Sequence, residues 1–159
     1  MDEANRKSGD VTIANEQDSV AVDNEKAILL AEYVLSEEKA SGQGELAITF
    51  VVKDEMASLN SRYRRLEGPT DVLSFSLRKS GEDEFVSPVP LMGNVIICPE
   101  VAAANAAKDG RSLQSEIDQL VVHGILHILD YGHSTAEDEA KMFERQAELV
   151  DRFKNAGQL

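Results

Sequence analysis

Four short stretches of the chain that contain several apolar residues each predict a β-strand. The clearest is 45–52, in which every second residue is a large apolar one. The other three stretches are 11–14, 71–75 and 94–98. We expect these segments to pair in one sheet. Because a β-strand places alternate side chains on opposite faces, one face of that sheet should be buried.

Apolar residues spaced three and four positions apart predict five helices, two between the strands and three after the last strand. They are expected to begin at the N-cap Asp23, at the N-cap Asp54, at Pro99, at Ser112 and at the capping box Ser134–Glu137. In the second helix, Met56, Leu59 and Tyr63 are expected to face the core. In the last helix the expected buried stripe is Ala140, Phe143, Ala147 and Val150.

The order of these elements predicts an α/β (α+β) fold. A chain of 159 residues suits a single domain, and we expect a small mixed four-stranded sheet packed with about five helices. Residues 1–10 are polar and expected to be flexible, so that 11–156 form the domain. No apolar run approaches the ~20 residues that span a bilayer, so no membrane partner is expected.

Charge is distributed unevenly along the chain. The net charge is −13, which as a whole disfavours binding to nucleic acid, because phosphates attract basic surfaces. Residues 61–80 nevertheless carry five basic and two acidic residues, including Arg62, Arg64 and Arg65. A basic strip on an acidic body can steer an anion to one place. A solvated loop with a chance run of arginines explains the same charge pattern equally well.

All three histidines fall within eleven residues, as His123, His127 and His133. Histidines four positions apart lie on one face of a helix, close enough to share a metal ion. A turn after the helix would return His133 as a third ligand. Three neutral imidazoles with one open position are typical of a hydrolytic zinc site; the alternative is a pair of core histidines with an unrelated third.

The histidine spacing also occurs in zinc peptidases, but their chemistry requires a glutamate directly after the first histidine as general base. Here that position is Gly124, which cannot move a proton, so a peptidase is disfavoured. The absence of a side chain at Gly124 also predicts a close approach between this helix and a neighbouring element. With a single cysteine, Cys98, and no apolar leader, a cytoplasmic location is expected.

The motif around the histidines, His-Gly-x-Leu-His-x-x-x-Tyr-x-His, resembles that of the YbeY family of bacterial endoribonucleases and rRNA maturation factors. Two further motifs precede it in the order that the family has them, Leu59-Asn60-x-x-Tyr63-Arg64 and Pro69–Phe75. In this chain Asp130 stands where the family usually has glycine, and Gly132 where it has aspartate. Asp130 is therefore expected to adopt the left-handed conformation of a helix C-terminus.

The resemblance implies a single-strand-specific, zinc-dependent endoribonuclease in 16S rRNA processing, ribosome quality control and small-subunit maturation. Its metal ligands correspond to His123, His127 and His133, with one Zn²⁺ per chain, and its functionally important arginine to Arg64. Arg62 and Arg65 are expected to position the RNA backbone. The implied partners are single-stranded rRNA, the small ribosomal subunit and its assembly factors. A non-catalytic, zinc-containing assembly factor and a metallohydrolase of another substrate remain alternatives.

Overall fold

The computed structural model describes residues 5–8, 10–77, 91–131 and 135–157. Strands and helices alternate in the first half of the chain, and three consecutive helices follow the last strand. The elements are β1 (Asn5–Ser8), β2 (Val11–Asn15), α1 (Asn24–Glu37), β3 (Glu45–Phe50), α2 (Lys53–Arg64), β4 (Val72–Ser76), β5 (Leu91–Ile97), α3 (Pro99–Lys108), α4 (Leu113–Ile128) and α5 (Ala136–Gly157).

The described strands form one mixed sheet in the order β1-β2-β3-β5-β4. The three inner strands, β2, β3 and β5, run parallel, and the two edge strands pair antiparallel with their neighbours. The predicted α/β class, with a mixed sheet and helices, is confirmed. Residues 5–8 lie in the segment expected to be flexible, yet they form β1 as a fifth strand. Its sequence has no apolar alternation, so backbone pairing with Val11–Ala14 is what defines this strand.

The core lies mainly on the sheet face that α1 and α4 cover. In β3 every second residue is fully buried, as the alternation predicts: Leu46, Ile48 and Phe50. A smaller cluster lies on the opposite face, where Ile96 of β5 packs with Met56 of α2. The helix α4 has ten buried residues and contacts α1, α3, α5, β4 and β5, so it is the central helix of the domain.

Local signals place some helix boundaries correctly and others not. Asp23 caps α1 as predicted, since its Oδ1 accepts a hydrogen bond from the backbone N–H of Lys26 at 3.1 Å. The predicted cap Asp54 is wrong, because α2 begins at Lys53 and its N-cap is Val52, two residues earlier than predicted. Tyr63 was expected in the core, but its side chain is 57% exposed. It lies on the last turn of α2, where its ring contacts Phe75 of β4 and remains largely open to solvent.

The buried stripe of α5 differs from the predicted one. Phe143 is 50% exposed, and Ala140 and Ala147 are exposed as well, whereas Val150 is buried as expected. The buried positions are Met142, Gln146, Leu149, Val150 and Phe153. The apolar pattern misleads here because a glutamine occupies one position of the true stripe. Within the described residues no helix is long and apolar enough to cross a membrane.

The helix α4 packs closely on β5 at Gly124, as predicted. A Cβ atom built at Gly124 would lie 2.5 Å from Cγ1 and 3.0 Å from Cγ2 of Val95. Such distances are far shorter than a normal contact between carbon atoms. The missing side chain therefore sets how near the helix that carries His123 and His127 comes to the sheet.

We expect Gly124→Ala to lower the free energy of unfolding by about 1–2 kcal/mol, because overpacking forces side chains or backbone to shift. The direction of this change in the free energy of unfolding is informative, because alanine without such a contact stabilises a helix by about 1 kcal/mol relative to glycine. Urea denaturation measures the effect. The double variant Gly124→Ala/Val95→Ala should lose less than the sum of the two single variants. A stability equal to or above wild type for Gly124→Ala would contradict the close packing.

Candidate metal centre

The helix α4 brings two of the predicted metal ligands together. The ring centroids of His123 and His127 lie 4.6 Å apart, with an angle of 72° between the ring planes. Both residues are half-buried, so each imidazole ring is partly packed against the protein and partly accessible to solvent. This is the arrangement that an i, i+4 spacing on one helix face produces.

A glutamine from α5 fixes the orientation of the first histidine. His123 Nδ1 lies 2.9 Å from Gln146 Oε1, and Gln146 Nε2 donates to Gln119 Oε1 at 2.7 Å. Because the amide nitrogen of Gln146 is used on Gln119, its carbonyl oxygen faces His123 and must accept. We therefore assign the proton to Nδ1 of His123, which leaves Nε2 with the lone pair that a metal ion requires.

The third predicted ligand, His133, lies outside the described residues, as does Gly132. The chain that leads to them is described, and it leaves α4 through a Schellman motif. The N–H of Asp130 donates to His127 O and the N–H of Tyr131 donates to Leu126 O, both at 3.0 Å. Asp130 has φ +72°, so the expected left-handed conformation is confirmed. The described chain thus turns at the end of α4 through Asp130 and Tyr131.

A carboxylate at the end of α1, that of Glu38, connects this turn with α5. Tyr131 donates its hydroxyl proton to Glu38 Oε1 at 2.6 Å, and Arg145 of α5 donates to Glu38 Oε2 at 2.6 Å. Burial, and then the hydrogen bond to Glu38, raise the pKa of Tyr131 above its usual value. Burial lowers the pKa of Arg145, but hydrogen bonds to Glu148 and Glu38 outweigh it and raise that pKa overall. Tyr131 and Arg145 therefore keep their protons at neutral pH, and through Glu38 they hold the end of the turn and α5 to the C-terminal end of α1.

The two histidines open into a cleft of about 470 Å³. The remaining lining residues come from the end of α2, from β4 and from the segment just before β4: Tyr63, Arg64 and 70–75. Arg64 is exposed, so its guanidinium group is accessible to a ligand. Among the predicted site residues, the structure thus places Arg64 in one cleft with His123 and His127.

The end of α2 that carries Arg64 is held by a buried amide. Asn60 is 3% exposed, and its Nδ2 donates to the carbonyl oxygen of Gly68 at 2.8 Å. Arg65 adopts a left-handed conformation with φ +57° and ends the helix. Asn60 therefore ties the helix to the 65–69 loop, which returns the chain towards β4.

The other two predicted arginines do not line the cleft of Arg64. Arg62 donates to Ser58 Oγ at 3.2 Å, and its Cζ lies 5.5 Å from the ring centroid of Tyr63. Arg65 is the residue at which α2 ends, and its side chain is exposed. Both contribute positive charge to the end of α2 that carries Arg64.

The described donors fit a divalent cation that takes nitrogen ligands. His123 and His127 supply two imidazoles on one face, and the tautomer of the first is set by Gln146. Within 5–8, 10–77, 91–131 and 135–157, no three His, Cys, Asp or Glu side chains cluster as a metal site. The third predicted ligand, His133, is not among those residues.

Sequence reasoning missed Gln146 and Gln119. Gln146 is 8% exposed and lies between the buried residues Met142 and Leu149 on α5. A glutamine at an apolar position of a helix stripe is itself a signal, because a buried polar side chain requires a partner. Its partner is His123, which could not be identified from the sequence because the two residues lie on different helices.

We expect Gln146→Leu to weaken zinc affinity by about 10- to 100-fold, because loss of the acceptor frees the ring of His123 to rotate and change tautomer. Competition with a chromophoric chelator on the full chain measures this change. Gln146→Glu keeps an acceptor and should retain affinity. The control is Gln114→Leu, which removes a bond to Asp118 (2.8 Å) near the start of α4. Wild-type affinity in a folded Gln146→Leu protein would refute the role.

The fold and the cleft together define an α/β domain whose central helix presents a histidine pair on the same cleft as an arginine, Arg64. The sequence profile of the family described as Endoribonuclease YbeY matches residues 12–154. The chain belongs to this family, which confirms the resemblance seen in its motifs.

Individual relatives agree with this assignment over most of the chain. Endoribonuclease YbeY of Acidothermus cellulolyticus is 41% identical over 150 residues, covering 91% of this chain and 91% of that protein. The protein of the same name from Thermobifida fusca is 39% identical over 142 residues, covering 88% and 91%. The solution structure of TM1509 from Thermotoga maritima has a TM-score of 0.61 and 26% identity, covering 91% of this chain and 89% of that one.

Proposed function

We propose that the chain is a single-strand-specific, zinc-dependent endoribonuclease, with residues 11–156 as its hydrolase domain. The observation that carries the proposal is the placement of Arg64, His123 and His127 on one cleft, in a chain of the Endoribonuclease YbeY family. In cells it would act in 16S rRNA processing, ribosome quality control and small-subunit maturation, with the small ribosomal subunit and its assembly factors as partners.

In this proposal His123, His127 and His133 hold one Zn²⁺. The ion, when bound, supplies Lewis acidity and makes water acidic enough to ionise near neutral pH. Gln146 holds the ring of His123 in the ligating tautomer. The turn through Asp130 and Tyr131 directs the chain towards His133.

Arg64 would bind the phosphate whose ester bond is cleaved. A planar guanidinium group donates two parallel hydrogen bonds to phosphate oxygens, and its fixed positive charge offsets the charge that grows on these oxygens in the transition state. Arg62 and Arg65, at the same end of α2, would attract the flanking phosphates. These contacts are ionic, so binding should weaken steeply with salt.

The cleft also has a feature suited to unpaired nucleotides. Tyr63 is 57% exposed, lines the cleft with Arg64, and packs edge-on against Phe75 at 5.2 Å between ring centroids. An accessible aromatic ring beside a cationic group is typical of single-strand binding, because bases that are not paired can stack on it. This supports single-stranded RNA as the substrate.

The proposal is tested with the full chain loaded with zinc, on one RNA sequence presented single-stranded and as a duplex. We expect cleavage of the single strand, none of the duplex, loss of activity with a chelator and recovery when zinc is returned. Binding without cleavage would favour the non-catalytic assembly factor. Neither binding nor cleavage would favour a metallohydrolase of another substrate.

A further inference from the structure

A second cleft adjoins the first on the other side of His123. Its volume is about 420 Å³, and the two clefts share Asp71, Val72 and His123. The remaining residues that line it come from the approach to α4, from α4 and from α5: Arg111, Glu116, Gln119, Leu120, Phe143 and Gln146. An RNA strand whose phosphate lies at Arg64 could therefore extend past His123 into this second cleft.

An accessible aromatic ring borders the second cleft. Phe143 is 50% exposed, although α5 buries its other large apolar side chains at Met142, Leu149 and Phe153. Its ring centroid lies 5.7 Å from that of His123, with 31° between the planes. A flat apolar surface is thus exposed to solvent next to a predicted metal ligand.

The charges in this cleft do not favour a phosphate group. Arg111 is its one described cationic lining residue, and it pairs with Glu116, which is 6% exposed, and with Asp109 at 3.5 Å. The positive charge of Arg111 is therefore already offset by two carboxylates. An uncharged, planar group with polar edges matches this surface better than a phosphate does.

We propose that the second cleft binds a nucleobase of the RNA, stacked on Phe143, next to the bond that is cleaved. The inference rests on the proposed endoribonuclease function and deepens it: Arg64 takes the phosphate in the first cleft, and Phe143 takes a neighbouring base in the second. Stacking on an aromatic face tolerates any base, so this contact would favour unpaired RNA without fixing its sequence.

The experiment compares the zinc-loaded wild type with Phe143→Ala on a single-stranded RNA and on the same RNA with one nucleotide at a time made abasic. For the wild type, one abasic position beside the cleaved bond should raise KM about tenfold, as expected for one lost stack. Phe143→Ala should raise KM about tenfold on the intact RNA, and the abasic position should then have no further effect. Phe143→Tyr should behave as wild type.

The control is Leu29→Ala, which removes an apolar side chain from α1, outside both clefts. Leu29 is 49% exposed, nearly the same as Phe143. This variant should leave KM unchanged. If Phe143→Ala and the abasic position raise KM independently, or if Phe143→Ala changes zinc affinity and not KM, the nucleobase site is refuted while the endoribonuclease stands. If the wild type cuts no RNA, the proposed function fails and this inference fails with it.

Discussion

His127→Ala is expected to remove zinc from the protein and to reduce RNA cleavage to the level of a preparation without metal. His127 is one of the two imidazoles that α4 presents on one face, 4.6 Å from the other between ring centroids. A catalytic zinc site uses three protein ligands, so loss of one leaves a pair that cannot hold the ion stoichiometrically. Elemental analysis of the purified chain measures the loss.

The control for this variant is Ser115→Ala, on the same helix and about 18 Å away along its axis. It should keep its zinc and its activity. Circular dichroism and urea denaturation show whether His127→Ala still folds, which we expect because His127 is half-buried and not part of the core. Stoichiometric zinc in a folded His127→Ala protein would exclude His127 as a ligand.

Arg64→Ala is expected to lower kcat for RNA cleavage by about 10²–10³-fold, the range seen when one donor that stabilises transition-state charge is removed. Its side chain is exposed on the cleft that the histidines share, so its loss should leave folding and zinc content intact. Arg64→Lys keeps the charge without the planar pair of donors and should recover only part of the rate. Steady-state kinetics on single-stranded RNA measures both variants.

The matched control is Arg62→Ala, which removes the same charge from the same helix end but from a side chain bonded to Ser58. It should raise KM modestly, more at low salt than at high salt, and leave kcat near wild type. Equal losses of kcat in Arg62→Ala and Arg64→Ala would show that only net charge matters. Wild-type kcat in Arg64→Ala would remove its proposed role.

Much of the fold was predictable because its elements have strong local signals. The alternation in β3, the cap at Asp23 and the close packing at Gly124 all depend on residues near one another in sequence, or on a missing side chain. The strand β1 was not predictable, because pairing with β2 defines it and its own four residues are polar. The stripe on α5 was misplaced because its true register includes Gln146, which apolar periodicity does not count.

The candidate site was predictable in part for the same reason. The pair His123 and His127 follows from helical spacing, and the left-handed Asp130 follows from the residue type at a helix end. The contact between His123 and Gln146 depends on how α4 and α5 pack, and neither segment alone encodes it. The exposure of the Phe143 ring could not be predicted from the sequence either, because its hydrophobicity alone indicates burial.

The tight contact between Gly124 and Val95 also limits how this scaffold can diversify. A glutamate at position 124 would restore the His-Glu-x-x-His sequence of peptide-cleaving zinc enzymes, and one codon change would produce it. Its Cβ, however, would point into the sheet at Val95 and not into the cleft, so the carboxylate would begin from the wrong side of the helix. Gly124→Glu alone is therefore not expected to produce a peptidase. A designer would first have to increase the distance between α4 and β5.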